Sequence, residues 1–397
     1  MPWSGNNENC DGKDWDDANM KKNMPLQYRV YRPALDELDS NRQFILGSPY
    51  GGIKNADLAI GDNRVGWWWK GAENMNDASW FDFVVRFTTE SPLEGYPMPS
   101  VLSNFLSESD LADYNSDIIE YHIKNNKYFT EAGMLSVHDR LKKNAEVIVG
   151  ANVSGRYEQL YRLVYIQYEW ARFMLEGMRR SKPYSAEIAY WMYNDCWPAL
   201  GYAVVDYYGN PKSVWYATKY SGCPIAATVK CSGNDLEFIV LNDSLESKTL
   251  TYKIKAYRPE MEIVELNVGT VHSQANVNVC AATISQNEID IETSVIFFEL
   301  YDGETLVSRA RWYKRWLTDL NLSRAKLTVD LDKSAQIITV TCNSGIALGV
   351  AFDGKFTAED NFIDLLEGET RTICLNPRDV FDGITVYCYN APKLTVK

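Results

Sequence analysis

The stretch LYRLVYIQYEWARFMLEGMRRSKPYSAEIAYWMY (residues 160–193) carries a long helix pattern followed by a strand pattern. Apolar residues recur in its first part at spacings of three and four and predict one apolar helix face: Leu160, Val164, Tyr168, Ala171, Leu175 and Met178. The helix is expected to run to about Arg180, because Pro183 stops it. Residues 189–193 then predict a strand. Helix and strand alternating in this way are typical of a parallel β/α architecture.

Shorter apolar runs upstream extend this pattern toward the N-terminus. The runs FIL (residues 44–46) and FVVRF (residues 83–87) predict short buried strands. About five strand candidates lie in residues 1–222, and the first of them ends at Asn7 and Glu8. Eight are needed to close a β/α barrel, so the sequence predicts a barrel that is incomplete at its N-terminus.

After about Gly222 the apolar period changes to two. Alternating apolar residues in this region predict a strand with one buried face: Leu250, Tyr252, Ile254 and Ala256. The Asp-Gly pairs at residues 302–303, 353–354 and 382–383 predict hairpin-type turns. We therefore expect two β-sandwich domains, at residues 223–322 and 323–397.

The composition favours a folded chain and excludes several classes of function. Hydrophobic residues make up 46% of the 397 residues, which is enough apolar surface for several cores. A formal net charge of −13 disfavours nucleic acid as a partner. No stretch approaches the roughly 20 apolar residues that span a bilayer, so no membrane partner is expected. No signal peptide is predicted, and a cytoplasmic location follows if Met1 is the true start.

Cysteine and histidine usage does not predict a metal site. Eight Cys residues are scattered without C-x-x-C spacing and are interpreted as buried thiols. The three His residues, His122, His138 and His272, do not form an H-E-x-x-H motif. Metal-dependent hydrolysis is therefore not predicted.

Two short motifs place a carboxylate at a strand end. In WSGNNE (residues 3–8), Glu8 is a candidate general acid, and Asn7 can hold a sugar hydroxyl beside the bond being cleaved. In RFTTE (residues 86–90), the preceding apolar run predicts Glu90 at the C-terminal mouth of a strand, and Arg86 would keep it ionised as a nucleophile. A solvated loop glutamate and a structural Arg–Glu pair are the respective alternatives. Glu94 is a competing nucleophile candidate in the loop that follows.

Aromatic residues mark two further candidate regions. In YWMYNDCWP (residues 190–198), Trp191 can form the floor of a sugar subsite, whereas Trp197 could equally be a core residue. The segment GDNRVGWWW (residues 61–69) contains three successive Trp residues, and at least one of them is expected to face a cleft or another domain.

Taken together, these motifs resemble glycoside hydrolase family 2, and within it the β-mannosidases. The family's acid/base motif reads Trp-x-Gly-Asn-Asn-Glu, as in residues 3–8. Its nucleophile motif reads Arg-Phe-x-Ser-Glu, as in residues 86–90 with Thr89 in place of Ser. Its eighth strand reads Tyr-Trp-x-x-Asn-Asp-x-Trp-Pro followed by Asp-Tyr-Tyr-Gly-Asn, as in residues 190–198 and 206–210. Residues 360–369 (DNFIDLLEGE) resemble a segment of the last sandwich domain.

The resemblance implies an α/β plus all-β fold. It comprises the C-terminal part of a (β/α)8 TIM barrel, strands four to eight, in residues 1–222, followed by two immunoglobulin-like β-sandwich domains. The family places its acid/base after strand four and its nucleophile after strand seven. The chain therefore opens at the end of strand four, and the missing N-terminal half of the barrel is a possible partner.

The resemblance also implies a retaining mechanism on a β-linked glycoside, with no metal and no organic cofactor. Glu8 is then the acid/base and Glu90 the nucleophile. Asn7 binds the hydroxyl next to the anomeric carbon, and Trp191 stacks under the sugar ring. Three further residues are substrate-binding candidates: Asp62, Trp69 and Asn194.

Two departures from the family leave the sugar open. Arg64 and Gly66 stand where the family has a His and a Trp close to the substrate, and SPLEG (residues 91–95) replaces Phe-Gly-Phe-Gln-Ser. The expected activity is hydrolysis of terminal β-D-mannosides. The alternatives are another family 2 exo-β-glycosidase, such as a glucosaminidase or galactosidase, and a non-catalytic fragment or sugar-binding protein.

Overall fold

The computed structural model describes most of the chain and divides it into two compact units. The described residues are 3–7, 22, 24–45, 47–48, 62–64, 85–113, 115–123, 130–131, 133, 135–185, 187–258, 262–290, 293, 295–313, 316–377 and 383–397. The first unit comprises Met1–Gly66, Phe83–Pro92 and Gly177–Met192. The second comprises Trp67–Asp82, Leu93–Glu176 and Tyr193–Lys397.

The strands described in the first unit are all parallel. They are β1 (Trp3–Ser4), β2 (Phe44–Ile45), β3 (Asp62–Arg64), β4 (Phe87–Pro92) and β5 (Glu187–Trp191). β1 pairs with β2, and β3, β4 and β5 form a three-stranded sheet in that order. A π-helical turn at Gln27–Tyr31 runs into α1 (Arg32–Leu38), where Pro33 takes an early position that needs no backbone donor.

Two of these strands lie at other positions than the sequence predicts. β4 begins at Phe87, so Glu90 lies inside the strand and not beyond its end. β5 begins two residues earlier than predicted. The physical reason is the ladder between them, which pairs Pro92 with Trp191 and so extends β4 past Glu90. Backbone pairing, and not the apolar run alone, determines where these strands end.

The helices of the second unit are short except for two. They are α2 (Pro99–Leu102), α3 (Glu108–Ala112), α4 (Asp117–Tyr121), α5 (Val137–Val149), α6 (Arg156–Arg180) and α7 (Ser213–Ser221), where the last turn of α6 belongs to the first unit. Ser136 caps α5 by accepting from the Asp139 amide at 2.9 Å. Gly150 ends α5 with a φ of 62°, a conformation that favours glycine.

Helix α6 confirms the predicted long helix but is buried on more than one face. Between Leu160 and Met174 every residue except Arg162 is buried. The helix contacts α7 through Ser213, whose hydroxyl donates to the Val164 carbonyl at 2.8 Å. Elsewhere Tyr161 donates to the Gly349 carbonyl in the C-terminal strands. The sequence pattern predicts a single apolar face. It misses the second buried face, because polar residues of α6 are buried as well.

Residues 225–312 form two antiparallel sheets around one core. The strands are β6 (Ile225–Ser232), β7 (Asp235–Asn242), β8 (Lys248–Tyr257), β9 (Ile263–Ser273), β10 (Val279–Ser285), β11 (Val295–Asp302) and β12 (Thr305–Trp312). Their orders are β10-β7-β6 and β12-β11-β8-β9. Phe238 of one sheet and Phe298 of the other meet edge to face at 5.5 Å. The predicted alternation in β8 is confirmed, since Leu250, Tyr252 and Ile254 belong to this core.

Residues 326–396 form a second pair of antiparallel sheets. The strands are β13 (Lys326–Asp332), β14 (Ile337–Ser344), β15 (Ile346–Asp353), β16 (Phe356–Ala358), β17 (Ile363–Leu366), β18 (Thr370–Pro377), β19 (Ile384–Cys388) and β20 (Ala391–Val396). Their orders are β13-β14-β18-β16 and β17-β15-β19-β20. Every residue of β15 is buried. Its Gly349 has a φ of 60°, and a Cβ there would lie 2.6 Å from the Tyr165 ring of α6, so a larger residue does not fit.

The predicted Asp-Gly turns have different outcomes. Gly303, with a φ of 62°, lies in a hairpin that joins β11 to β12, as expected. The turn at Gly354 is not a hairpin of paired strands, because β15 and β16 lie in different sheets. The carboxylate of Asp353 there is turned inward, where it accepts from the Ser100 amide at 3.0 Å. Asp382 lies outside the described residues.

A buried charge network joins α6 to both pairs of sheets. Glu169 of α6 is fully buried and accepts from Arg172 at 3.0 Å, from Arg311 of β12 and from the Tyr313 hydroxyl. Arg311 also donates to Asp364 of β17. Burial raises the pKa of Glu169, but the charges of Arg311 and Arg172 outweigh it and lower that pKa to about 2. The network therefore holds an ionised carboxylate in the protein interior.

The prediction of buried thiols is wrong for several cysteines. Cys196, Cys280 and Cys374 are exposed, whereas Cys342 and Cys388 are buried. Cys374 is exposed because it takes an outward position of β18, between the buried Ile373 and Leu375. Cys10 lies outside the described residues.

In the part of the chain that the structure describes, no helix is long and apolar enough to cross a membrane.

Candidate active site

The first motif runs beside the segment at residues 43–48. Gly5 donates its amide to the Ile45 carbonyl at 2.9 Å, and the Ser48 amide donates to the Asn6 carbonyl at 3.1 Å. Asn7 follows with an exposed side chain and forms a parallel bridge to Ser48. Asn7 is therefore placed by backbone pairing. Glu8, the candidate acid/base, lies outside the described residues.

Side-chain contacts also hold this motif. Gln27 is buried and donates its amide to the Gly5 carbonyl at 3.2 Å. The Trp3 indole donates to the Asp39 carboxylate at 3.0 Å, and the Arg42 guanidinium lies 4.9 Å from its ring centroid. Trp3 thus has a structural role, because its polar edge and one ring face are both occupied.

The second motif meets the first through Ser48. Glu90 is half-buried in β4, and Thr89 precedes it. The Thr89 hydroxyl lies 2.6 Å from the Ser48 hydroxyl, so the two share a hydrogen bond. Ser48 also bridges to Asn7, and it is a residue that sequence reasoning missed. In the sequence, Ser48 is distinguished solely by its position shortly after the FIL run. Many serines follow short apolar runs, so this position does not identify a site residue.

The third motif enters this site through the sheet. β4 and β5 are parallel, and their register pairs Ser91 with Tyr190 and Pro92 with Trp191. Trp191 is the last residue of β5 and is 45% exposed, so part of its side chain is open to solvent. The first unit therefore places Asn7 three residues after β1, Glu90 inside β4 and Trp191 at the last position of β5.

The remaining predicted site residues have different positions. Asp62 is the first residue of β3 and pairs with Phe87, and Arg64 of the same strand pairs with Glu90. Asn194 belongs to the second unit, where it is exposed and its amide donates to the Asp195 carbonyl at 3.2 Å. Trp69 lies outside the described residues.

Arg86 makes a contact that the sequence did not predict. Its guanidinium lies 5.6 Å from the centroid of the Tyr184 ring, and its side chain is exposed. A cation over an aromatic face is a weak stabilising contact at an exposed site. Its expected effect on the ionisation of Glu90 stays a prediction.

Glu94, the competing nucleophile candidate, lies in an environment that disfavours this role. The residue is 1% exposed, and neither carboxyl oxygen has a hydrogen-bond partner among the described residues. Burial raises the pKa of Glu94 to about 8, although the charges of Arg140 and Lys212 lower it in part. A carboxyl group that is protonated near neutral pH is a poor nucleophile. Glu90 therefore remains the better candidate.

The raised pKa of Glu94 predicts a pH-dependent gain in stability for Glu94→Gln. Folded Glu94 keeps its proton up to about pH 8, whereas the unfolded chain loses it near pH 4.5. Rising pH between these values therefore favours the unfolded state. The variant avoids this cost, so we expect its stability gain to grow from pH 4.5 to 8, reaching on the order of a few kcal/mol. Denaturant unfolding at pH 5 and pH 9 measures it.

The exposed Glu304 provides the control for this measurement. Glu304→Gln should change the free energy of unfolding little at either pH. Equal stability of Glu94→Gln and the wild type at pH 9 would contradict the buried neutral carboxyl.

The described residues contain no group of three or more His, Cys, Asp or Glu side chains that could hold a metal ion. The site in the first unit contains a half-buried carboxylate, an amide side chain and an exposed indole ring. Groups of these kinds are used elsewhere to bind a sugar and to attack its anomeric carbon.

The sequence of this chain was compared with those of known proteins. No protein-family model matches the chain. β-Mannosidase B of Aspergillus clavatus is 21% identical over 94% of this chain and 48% of its own length. The same protein of Aspergillus flavus is 26% identical over 95% of this chain and 47% of its length. The chain spans about half the length of the curated relatives it matches.

Solved structures give the same result for the fold. The β-D-mannosidase of Dictyoglomus thermophilum superimposes with a TM-score of 0.83 at 19% identity, over 99% of this chain and 48% of that protein. The chain resembles the C-terminal half of a family 2 β-mannosidase. The resemblance indicated by its motifs is thereby confirmed. An exo-chitosanase of Amycolatopsis orientalis has the same fold at a TM-score of 0.66, with 18% identity over 93% of this chain. The fold of this chain is thus similar to that of a second kind of exo-acting glycosidase.

Proposed function

We propose that this chain carries the C-terminal half of a retaining exo-β-glycosidase that releases terminal β-D-mannosides. The observation that carries the proposal is the meeting of three motifs in the first unit. Asn7 and Thr89 both contact Ser48, Glu90 follows Thr89, and the strand of Glu90 pairs with the strand that ends at Trp191. The three motifs are far apart in sequence, so only the fold brings them together.

The fold proposed for the whole chain follows from the same resemblance. Residues 1–222 correspond to strands four to eight of a (β/α)8 barrel, in agreement with the five parallel strands among the described residues. Residues 223–322 and 323–397 correspond to two β-sandwich domains, in agreement with two antiparallel cores. The missing half of the barrel is the proposed partner, because a barrel has no free sheet edge once closed.

The proposed mechanism has two displacement steps. Glu90 attacks the anomeric carbon, and protonated Glu8 gives its proton to the leaving oxygen as the glycosidic bond breaks. Glu8 then takes a proton from water, whose oxygen attacks the anomeric carbon and releases Glu90. The carboxyl groups must lie about 5–5.5 Å apart for this. Asn7 holds the neighbouring hydroxyl, and Trp191 supports the ring face.

Covalent trapping tests the proposal directly. A 2-deoxy-2-fluoro-β-mannosyl fluoride should form a glycosyl-enzyme that hydrolyses slowly, because fluorine destabilises the transition state of the second step. Intact mass followed by peptide mapping should place one label on Glu90. The matched control is Glu90→Gln, which should remain unlabelled. A label on another residue would overturn the assignment of the nucleophile. An unlabelled wild-type chain would favour an incomplete barrel or a different sugar, and the same test with the gluco and galacto reagents would separate these two outcomes.

A glucosaminidase is the second candidate function. The similarity of the fold to that of an exo-chitosanase favours it. Arg64 stands where the β-mannosidases have a residue close to the substrate, so the sugar preference is expected to depend on this position. A panel of chromogenic β-mannoside, β-glucosaminide and β-galactoside substrates separates the candidates by kcat/KM.

The exposed ring of Trp191 makes a separate prediction. Trp191→Ala should lower kcat/KM by roughly tenfold to a hundredfold, because the sugar loses a stacking surface. Trp191→Tyr should recover part of the loss. The matched control is Trp215→Ala, since Trp215 is 41% exposed on α7 and lies outside the site. Equal losses in Trp191→Ala and Trp215→Ala would contradict a stacking role.

A further inference from the structure

Six aromatic rings form a continuous row on the second unit, here called the aromatic row. Its members come from the turn after α2, the end of α4 and the two segments that follow β5 in sequence: Phe105, Tyr121, His122, Trp197, Tyr207 and Tyr208. Trp197, Tyr207 and Tyr208 belong to the motif and its extension that carried the family resemblance, but the proposed mechanism uses none of them.

The rings contact one another in sequence along the row. The His122 ring stacks on Trp197, with centroids 5.2 Å apart and planes 19° apart. Phe105 lies 4.8 Å from His122 and 6.4 Å from Tyr208, to which it is nearly parallel. At the two ends, Tyr121 meets Trp197 and Tyr207 meets Tyr208 edge to face. The centre of the row therefore has two stacked contacts, His122–Trp197 and Phe105–Tyr208, joined by the tilted Phe105–His122 contact.

The outer members of the row are exposed to solvent. Tyr121 is 70% exposed, Tyr207 50% and Tyr208 38%, while Phe105, His122 and Trp197 are half-buried. A single exposed ring is normal on a protein surface, but a contiguous exposed aromatic surface is typical of an interaction site.

Polar contacts fix the segments that carry these rings. One nitrogen of the His122 ring lies 2.7 Å from the Pro198 carbonyl, which orients the imidazole against Trp197. The turn that carries Tyr207 and Tyr208 is closed by Asp206, whose carboxylate accepts from the Asn210 amide at 2.9 Å. Because the rings are held before any ligand arrives, binding would cost little ordering entropy.

We propose that the aromatic row is a binding surface for a neutral β-linked oligosaccharide. Ring faces pack against the C–H faces of pyranose rings, while Tyr, Trp and His offer polar edges to hydroxyl groups. Acidic residues lie on the same helix, since Asp117 and Glu120 precede Tyr121 on α4. Together with the net charge of −13, they disfavour an anionic glycan.

The surface extends the proposed function but needs no turnover. A row of several rings should bind an oligosaccharide better than a single sugar, because each ring adds a stacking contact. Binding at the row and catalysis at Glu90 are therefore separable, so the failure of one would not be mistaken for the failure of the other.

Titration calorimetry with β-1,4-mannohexaose and with mannose tests the proposal. The parent protein is the Glu90→Gln variant, which should not hydrolyse the hexaose. It should bind mannohexaose at least tenfold more tightly than it binds mannose. In the same background, Tyr121→Ala with Tyr207→Ala should weaken hexaose binding at least tenfold. Both tyrosines are exposed, so the midpoint of thermal unfolding should remain unchanged. The control, Trp215→Ala, should bind as the parent does.

Four outcomes would overturn the proposal. The first is equal affinity for mannohexaose and mannose in the parent. The second is unchanged hexaose binding in the double tyrosine variant. The third is a loss of hexaose binding on Trp191→Ala as large as that of the double tyrosine variant, which would place the sugar at the candidate active site. A dimer in sedimentation that dissociates on Tyr121→Ala with Tyr207→Ala would assign the row to a second copy of the chain.

Discussion

Replacing Glu90 with Gln is expected to lower kcat/KM for a β-mannoside by at least about a thousandfold, because the variant cannot form the glycosyl-enzyme. Glutamine keeps the size of the side chain and its place in β4, so the fold should be unaffected. The measurement is initial rates on a chromogenic glycoside with a good leaving group. With such a substrate the first displacement depends on the nucleophile and hardly on the general acid.

Glu94→Gln is the matched control, since it changes the same residue type only four positions later. It should keep most of the activity because Glu94 is buried and protonated. Azide provides a second readout. With Glu90→Gly, azide should attack from the vacated face and give an α-glycosyl azide. With Glu8→Gly it should give a β-glycosyl azide. Near wild-type activity of Glu90→Gln would remove this residue from the mechanism.

Replacing Glu169 with Gln is expected to lower the free energy of unfolding by about 3–5 kcal/mol at pH 7. Glu169 is the fully buried anion that pairs with both Arg172 and Arg311. Without the Glu169 carboxylate, the buried guanidinium groups of Arg172 and Arg311 lose the anion that they share. Such groups cannot neutralise by losing a proton, so the cost appears as instability. Denaturant unfolding of the two proteins measures the difference.

The effect of Glu169 should also depend on pH in a defined direction. The pKa of Glu169 is lowered to about 2 from its usual 4.5, so its ionisation contributes stability above pH 4.5. That contribution is lost as the pH falls from 4.5 toward 2, and the gap between wild type and variant should narrow in this range. Tyr313→Phe, which removes one donor to Glu169, should cost only about 1 kcal/mol. A Glu169→Gln variant as stable as the wild type would show that the network is not a source of stability.

Much of the secondary structure could be predicted from local pattern. The spacing from Leu160 to Met178 predicts α6, and the alternation from Leu250 to Ala256 predicts β8, because both reflect periodic burial. Strand ends were predicted less well. β4 continues to Pro92 because it pairs with β5, and no feature of residues 83–90 reports that pairing.

Some residues of the site could also be found from local sequence motifs, and others only from contacts in the folded chain. Asn7, Glu90 and Trp191 could be proposed from the sequence because each lies in a motif with a recognisable order of residue types. Ser48 could not, since a serine after a short apolar run is common, and its importance comes from contacts with Asn7 and Thr89.

The sequence by itself determined the helix and strand patterns, the change of period near Gly222 and the motifs that resemble family 2, because these depend on the order of neighbouring residues. Only the tertiary structure decided which residues separated by many positions share one environment. It buries Glu94 so that its pKa rises, places Glu169 between arginines of which one lies 142 residues away, and aligns six aromatic rings from separate segments. The physical reason is that desolvation, ion pairing and stacking depend on distance in space, which the order of residues does not contain.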